Sequence, residues 1–374
     1  MEGGELITQG AYGCIFDKPL QCKGKRVLKR TGKIAKITET LDANNELQMA
    51  KLLRKAPLWR NYFILADPES CKLQREEKQT EEDLPECRVL ERVALDEMKQ
   101  MIMPWGGKSL HDYDIHPRHF SLVKFMIHML EAVGLMTLQG ICHYDIHPGN
   151  IVVDPHRVAR LIDFGMAFHG PSVTNEILGL RWKILRFGDP TKNEHWISNQ
   201  EPPEVTIINA IINNGFTLDD AVEKTIFTKD IFRQLEKPMF GISRGRTKRA
   251  FIKFWNQSKT CQERHWAKFF QLYWTGFDSW ALGTLFYEFL IRQLTFRMFA
   301  ESESWKEKQH SIQATLTGLL EINPLHRLDA IEALSILDPG NKWLNRFGGA
   351  WISARARQRE KLASIDTVPV AARA

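Results

Sequence analysis

Apolar positions change their spacing along this chain. In the first forty residues they fall in short β-like runs broken by turn residues. Ile7, Ile15 and Phe16 flank a glycine-containing turn, and Val27-Leu28 and Ile34-Ala35-Lys36-Ile37 read as later strands. Leu47, Ala50 and Leu53 then recur every third residue with polar residues between, which predicts a helix over 41–53. Residues 55–100 are charged and irregular, with Pro57, Pro68 and Pro85 as breakers. Met101-Ile102-Met103 reads as a short buried strand that Pro104 ends. Leu122, Phe125, Met126, Met129, Leu130 and Val133 mark the apolar face of a helix over 120–138. Ile151–Val153 and Arg160–Ile162 predict a small hairpin. Beyond Pro203 the pattern is mainly helical to about Leu337, and the Ala/Arg-rich tail from about Ser353 is expected to fray. A β-rich N-terminal part before a helical C-terminal part gives an α+β fold class. Two lobes with a ligand cleft between them are the expected layout.

Composition narrows the class. Of 374 residues, 43% are hydrophobic and 26% charged, which excludes a disordered, collagen-like or coiled-coil chain. No run of 18 apolar residues occurs, so no membrane span is expected. The start at Met1-Glu2-Gly3-Gly4-Glu5 lacks the basic and apolar regions of a signal peptide. Cys14, Cys22, Cys71, Cys87, Cys142 and Cys261 are scattered, with no Cys-x-x-Cys pair. Neither a zinc site nor a disulfide scaffold is expected, a reducing compartment is the default, and Cys71 and Cys87 are read as free thiols. Residues 205–277 hold 12 Lys and Arg against 6 Asp and Glu, and so carry as much charge as the +6 of the whole chain. A solvated face is the plain account, and a docking surface for an acidic partner is the sharper one. Aromatic residues do not interleave with Arg244–Arg249, so nucleic acid is not an expected partner.

The chemistry concentrates in His143-Tyr144-Asp145-Ile146-His147-Pro148-Gly149-Asn150 and, thirteen residues beyond Asn150, Asp163-Phe164-Gly165. Phosphoryl transfer asks a protein to position groups and to hold metal ions, because its transition state is mostly charge. Magnesium takes oxygen ligands, one or two carboxylates plus phosphate oxygens. Asp145 can orient an attacking hydroxyl, and Asn150 and Asp163 can hold metal. Pro148-Gly149 forces a loop that turns Asp145 and Asn150 together, and the hairpin brings Asp163 to them.

His-x-Asp-x-x-x-x-Asn followed by Asp-Phe-Gly resembles the catalytic and metal-binding loops of the protein kinase superfamily. Other segments agree with the eukaryotic-like Ser/Thr protein kinases. Thr8-Gln9-Gly10-Ala11-Tyr12-Gly13-Cys14-Ile15 resembles the glycine-rich loop with its first glycine replaced by Thr8. The resemblance implies that Gly10, Ala11, Tyr12, Gly13 and Ile15 cover the nucleotide. It also implies that Lys36 holds the α- and β-phosphates and pairs with Glu46, for which Lys33 and Glu39 are rivals. Met101–Leu110 resembles the strand and hinge that receive adenine, with Met103 in contact. Pro104 has no N–H, so at least one adenine bond must come from a neighbour. Glu201-Pro202-Pro203-Glu204 resembles the end of an activation segment. Asp278 stands where kinases grip the catalytic-loop backbone, and Arg327 where they pair with Glu204. The expected domains are an N-lobe over 1–103 with an irregular insertion at 56–100, a C-lobe over 104–340 and a basic tail over 341–374. Within the C-lobe the activation segment is 163–204, the basic insertion 205–277 and the anchoring helix near 278–290.

The pattern departs from the family at two loop positions. Tyr144 replaces the arginine that usually binds an activation-loop phosphate, which implies activity without such phosphorylation. His147 replaces lysine and resembles the loop of small-molecule kinases such as the aminoglycoside phosphotransferases. Lysine is a permanent cation, whereas histidine is ordinarily neutral at pH 7. The combined motifs are most similar to protein kinases of nucleocytoplasmic large DNA viruses, which implies a host-cytoplasmic or virion-associated enzyme. The expected function is transfer of the γ-phosphoryl group of ATP, with Mg²⁺ or Mn²⁺, to Ser or Thr of a protein substrate. Asp145, Lys36 and His147 are the expected catalytic residues, and Asn150 and Asp163 the metal ligands. A small-molecule kinase and a nucleotide-binding pseudokinase or virion scaffold are the alternatives.

Overall fold

The computed structural model describes residues 5–10, 13–24, 32–74, 87–182 and 197–368. Ala11, Tyr12, the Val27-Leu28 strand and Pro85 lie outside them. Chain contacts separate two compact units, Met1–Tyr113 with Gly149–Ala167, and Asp114–Pro148 with Phe168–Ala374.

The first unit is built on a five-stranded antiparallel sheet in the order β1-β2-β3-β5-β4. Its strands are β1 (Leu6–Gln9), β2 (Gly13–Phe16), β3 (Lys33–Glu39), β4 (Ser70–Lys72) and β5 (Met98–Pro104). Alternation along β2 and β3 sends Cys14, Phe16, Ala35 and Ile37 into a core with Leu20, Leu73, Val89 and Met98. Register sets Ile15 opposite Lys36, and Ile34 opposite Met103. At Gly13 a β-carbon would strike the Ile37 carbonyl oxygen, so the glycine has a strand-packing reason independent of any ligand. The helix α1 (Thr40–Leu53) buries Ala43, Glu46, Met49, Ala50 and Leu53 at helical spacing. A short α2 (Trp59–Tyr62) follows it.

Two disulfides tie this unit, Cys14 to Cys87 and Cys22 to Cys71, with Cα atoms 5.9 and 5.7 Å apart. This corrects the free-thiol reading, and the cysteine argument for a reducing compartment falls with it. The partners are 73 and 49 residues apart, so only the folded sheet region brings them together. Cys142 and Cys261 are free and buried.

After β6 (Lys108–Ser109) come α3 (Leu122–Leu138) and β7 (Ile141–Cys142), then the predicted hairpin, β8 (Ile151–Val153) and β9 (Ala159–Leu161). β6, β8 and β9 form a small sheet in the first unit, with Val152 opposite Arg160.

The second unit is mainly helical. β10 (Phe168–His169) pairs with β7, and α4 (Asn175–Gly179) follows. The basic stretch folds as further helices, α5 (Pro203–Asn214), α6 (Leu218–Thr228), α7 (Asp230–Leu235), α8 (Arg244–Gln257), α9 (Lys259–Gln262) and α10 (Trp266–Tyr273). α8 buries Thr247, Phe251, Phe254 and Trp255 and exposes Arg246, Arg249 and Lys253, while Lys248 pairs with Glu223 at 2.6 Å. α11 (Phe277–Leu294), α12 (Arg297–Ala300), α13 (Glu303–Leu319) and α14 (Ala330–Leu337) complete the core, with α3 packed on α11 and α14.

The tail is the second correction. It forms an ordered helix, α15 (Gly349–Asp366). Arg355 reaches Asp329 at 3.0 Å and Glu332 at 3.1 Å, Arg359 reaches Glu332 at 2.7 Å, and the Trp351 indole N–H donates to Asp329. Asp366 is buried and accepts from the Ser258 hydroxyl at 2.6 Å, the Thr260 N–H at 2.8 Å and the Tyr273 hydroxyl at 2.7 Å. Trp351, Arg355 and Arg359 stand four residues apart, so each meets a buried carboxylate of Asp329 or Glu332.

Candidate active site

In the first unit three charged side chains converge. Alternation along β3 turns Lys36 to the face opposite Ala35 and Ile37, which lie on the core face. Its ammonium meets Glu46 of α1 at 2.8 Å and Asp163 at 2.6 Å. Burial pulls the Lys36 amine down most strongly, but Asp163 and Glu46 together outweigh it, and the amine ends above its ordinary value. Lys36 is therefore a fixed cation. Of its rivals, Lys33 pairs instead with Asp67 at 3.1 Å.

Asp163 follows β9 and has a left-handed backbone, φ 63°, which a non-glycine residue adopts only when its surroundings impose it. They do so here. The Gly165 N–H faces the Asp163 carboxylate at 3.3 Å, and Phe164 is buried edge-on against Phe63 at 5.8 Å. The Asn45 carboxamide on α1 donates to the Gly165 carbonyl at 2.7 Å and the Ala167 carbonyl at 2.8 Å. Sequence reasoning passed over Asn45, and its only signal is that it stands next to Glu46. Asn150 is buried, and its carbonyl accepts from the Ile162 N–H at 3.0 Å, which closes the base of the hairpin.

Gly10 donates its N–H to the Gly13 carbonyl at 2.9 Å, and among the described residues no atom crowds the place of a β-carbon at Gly10. Ile15 and Met103 are sheet residues flanking Lys36 and Ile34 in register. Beside Pro104, the Trp105 N–H is taken by the Gly32 carbonyl at 3.0 Å.

In the second unit Asp145 and His147 stand 3.8 Å apart, with 43% and 41% of their side chains exposed, so both are partly open to solvent. The backbone before them is clamped. The N–H groups of His143 and Tyr144 donate to the two carboxylate oxygens of Asp278 at 2.7 and 2.8 Å. Burial pushes the Asp278 carboxyl up, against the opposing pull of His143 and these two N–H donors. Tyr144 has φ 68°, and its ring packs against Phe168, Phe270 and Phe277 with centroids 5.3 to 6.3 Å away. Burial raises its phenol well above the ordinary range. Glu204 and Arg327 meet in a buried two-pronged pair at 2.9 and 2.6 Å.

An amide oxygen from Asn150 and a carboxylate from Asp163 suit a hard divalent cation that completes its shell with phosphate and water. Among the described residues, no group of three or more His, Cys, Asp or Glu side chains is placed to hold a metal by itself. Among the described residues, no helix is long and apolar enough to cross a membrane.

The phosphotransferase enzyme family model matches residues 111–174, a stretch that contains Asp145, His147, Asn150 and Asp163. No curated protein matches the chain. The family match supports kinase-type phosphoryl transfer as the class of reaction, with the general use of ATP and a divalent metal that goes with it.

Proposed function

We propose that this protein is an ATP-dependent protein kinase that transfers the γ-phosphoryl group to Ser or Thr hydroxyls of a protein. The observation that carries this reading is the Lys36–Glu46–Asp163 cluster, a fixed cation held by a helix carboxylate beside the Asp-Phe-Gly segment. Lys36 binds the α- and β-phosphates, and Glu46 keeps its ammonium in place. Asn150 and Asp163 hold Mg²⁺ or Mn²⁺, which neutralises charge on the transferring group when bound. Asp145 orients the acceptor hydroxyl and receives its proton. His147, beside Asp145, hydrogen-bonds the carboxylate or a phosphate oxygen. Gly10 to Gly13 cover the nucleotide. A protein acceptor is supported by the Glu204–Arg327 pair and the Asp278 clamp, which fit the activation segment and C-lobe of protein kinases. The detailed motifs favour a kinase of large-DNA-virus type, acting in a host cytoplasm or a virion.

A small-molecule acceptor is the second reading. The phosphotransferase family match and His147 favour it.

The test is γ-phosphate transfer from labelled ATP with Mg²⁺ or Mn²⁺, offered mixed proteins and, separately, a panel of small hydroxyl compounds. Asp145→Asn and Asp163→Asn serve as controls. Transfer to protein Ser or Thr that both substitutions abolish supports the proposal. Transfer only to small molecules establishes the second reading. Nucleotide binding with no transfer to either class overturns both and leaves a scaffold.

A further inference from the structure

The Asp-Phe-Gly segment is held from two sides, and only one hold is ionic. Asp163 is drawn to Lys36, which is drawn to Glu46. From the other side, the residue before Glu46 takes hold of the backbone. Asn45 donates to the Gly165 and Ala167 carbonyls at 2.7 and 2.8 Å, with the Phe164 carbonyl at 3.5 Å. A carboxamide has two N–H hydrogens, and two short bonds use both. Adjacent residues on a helix point about 100° apart. Asn45 and Glu46 can therefore serve two partners at once, one the main chain of 165–167 and the other the ammonium of Lys36. The result is a closed circuit: α1, Lys36, Asp163, the 163–167 turn, and back to α1.

The turn needs such a hold. Asp163 sits in the left-handed region at φ 63°, where a residue with a β-carbon is less stable than in the ordinary regions. The Ala167 N–H closes the turn on the Phe164 carbonyl at 3.2 Å, and Asn45 adds donors to the carbonyls of 165 and 167.

We propose that Asn45 is a positioning residue, whose carboxamide locks residues 163–167 onto α1 and so fixes the direction of the Asp163 carboxylate beside Lys36. It touches no reacting atom. The role in turnover rests on the phosphotransfer reading, while the lock itself does not. The chemistry is specific to an amide. Aspartate would set a carboxylate against three carbonyl oxygens, and alanine would remove both donors.

The experiment uses the full chain and two independent readouts. Hydrogen–deuterium exchange over 163–167 reports the lock with no nucleotide present. Steady-state kinetics report its consequence, with kcat and KM for ATP separated at varied Mg²⁺. Losing two hydrogen bonds predicts that Asn45→Ala raises exchange in this segment about ten- to hundredfold. Exchange in β3 and β5 and the melting temperature stay near wild type. The rate constant falls by a similar factor, with higher Mg²⁺ needed for half-maximal rate, and Asn45→Asp is worse on both counts. Asn45→Gln, whose donors sit one methylene further out, falls between wild type and alanine. It also carries the test if Asn45→Ala melts early. Unchanged exchange over 163–167 in Asn45→Ala, or Asn45→Gln exchanging like alanine, overturns the proposal. A wild-type protein that transfers no phosphoryl group overturns the functional reading instead, and the exchange measurement then decides the lock alone.

Discussion

Arg327 and Glu204 in the second unit, and Lys36 with Glu46 and Asp163 in the first, are both cation–carboxylate groups with contacts of 2.6 to 2.9 Å. They differ in what remains for anything else. Arg327 and Glu204 are sealed, with neither side chain reached by solvent. The guanidinium also donates to the Glu321 and Gly276 carbonyls and lies 5.0 Å from the Trp280 ring. Lys36 is almost as buried, but Asp163 keeps 39% of its side chain exposed. A sealed pair can only organise a fold, since every partner is internal. A pair with one open carboxylate can exchange part of its interaction for phosphate or metal at modest cost. Openness on one side, rather than short distance, separates the group we propose as functional from the sealed one.

Breaking each group in turn should give opposite signatures. Glu204→Ala leaves a buried, uncompensated guanidinium. It is expected to cost about 3–5 kcal/mol, roughly 10²–10⁴ in the folding equilibrium, read as a fall in the denaturant midpoint. Replacing both partners with apolar residues, Glu204→Leu with Arg327→Met, should cost less than the single change. If it costs more, the sealed pair is a net stabiliser and the comparison needs revision. Asp163→Asn should do the reverse. Phosphotransfer falls by at least about 10²–10³, while the denaturant midpoint moves little because the Lys36–Glu46 pair remains.

A smaller effect sharpens the description of Lys36. Its folded-state amine holds the proton more tightly than the unfolded value of 10.5. The stability it contributes is therefore complete below that value and is lost only as pH rises through the higher folded value. The stability difference between wild type and Lys36→Met should stay flat within about 0.5 kcal/mol from about pH 6 to about pH 9, measured by denaturant titration at each pH. A slope in that window would mean that the carboxylates do not hold the amine as described. The smallest expected effect is none. Tyr144, where the protein kinases that the sequence resembles usually carry arginine, packs into an aromatic cluster and offers no cation to a phosphate. Thr191→Glu should then leave the rate within about twofold of wild type, and a large activation would contradict it.

Much of the site was legible because its residues are tied by sequence distance and by chemistry that admits few substitutes. Asp145, Asn150 and Asp163 stand in motifs, and the expected pairings of Lys36 with Glu46, of Glu204 with Arg327 and of Asp278 with the loop backbone are formed. The β-to-helix change of spacing gave the α+β layout. What stayed hidden depends on encounters that no local pattern encodes. The disulfide partners meet only after β2 and the segments around 71 and 87 have assembled. Gly13 reads as a phosphate-loop glycine, yet its own sheet already forbids a side chain. α15 hid because its anchoring stripe is Trp351, Arg355 and Arg359 rather than leucines, and its partners Asp329 and Glu332 belong to the start of α14. Asn45 had no visible reason to matter until the carbonyls of 165 and 167 turned toward it.

The Asp366 anchor also has a consequence for the order of events during synthesis. Ser258, Thr260 and Tyr273 leave the ribosome roughly a hundred residues ahead of the carboxylate they need. At about 5–20 residues per second that is a delay on the order of 5–20 s. Lys36, Glu46, Asn45 and Asp163 have all emerged well before then. The nascent chain can thus complete its charged cluster while its helical part still waits for the last turn of α15 to bring the Asp366 acceptor. A premature stop even a few codons before Asp366 would remove that acceptor for good.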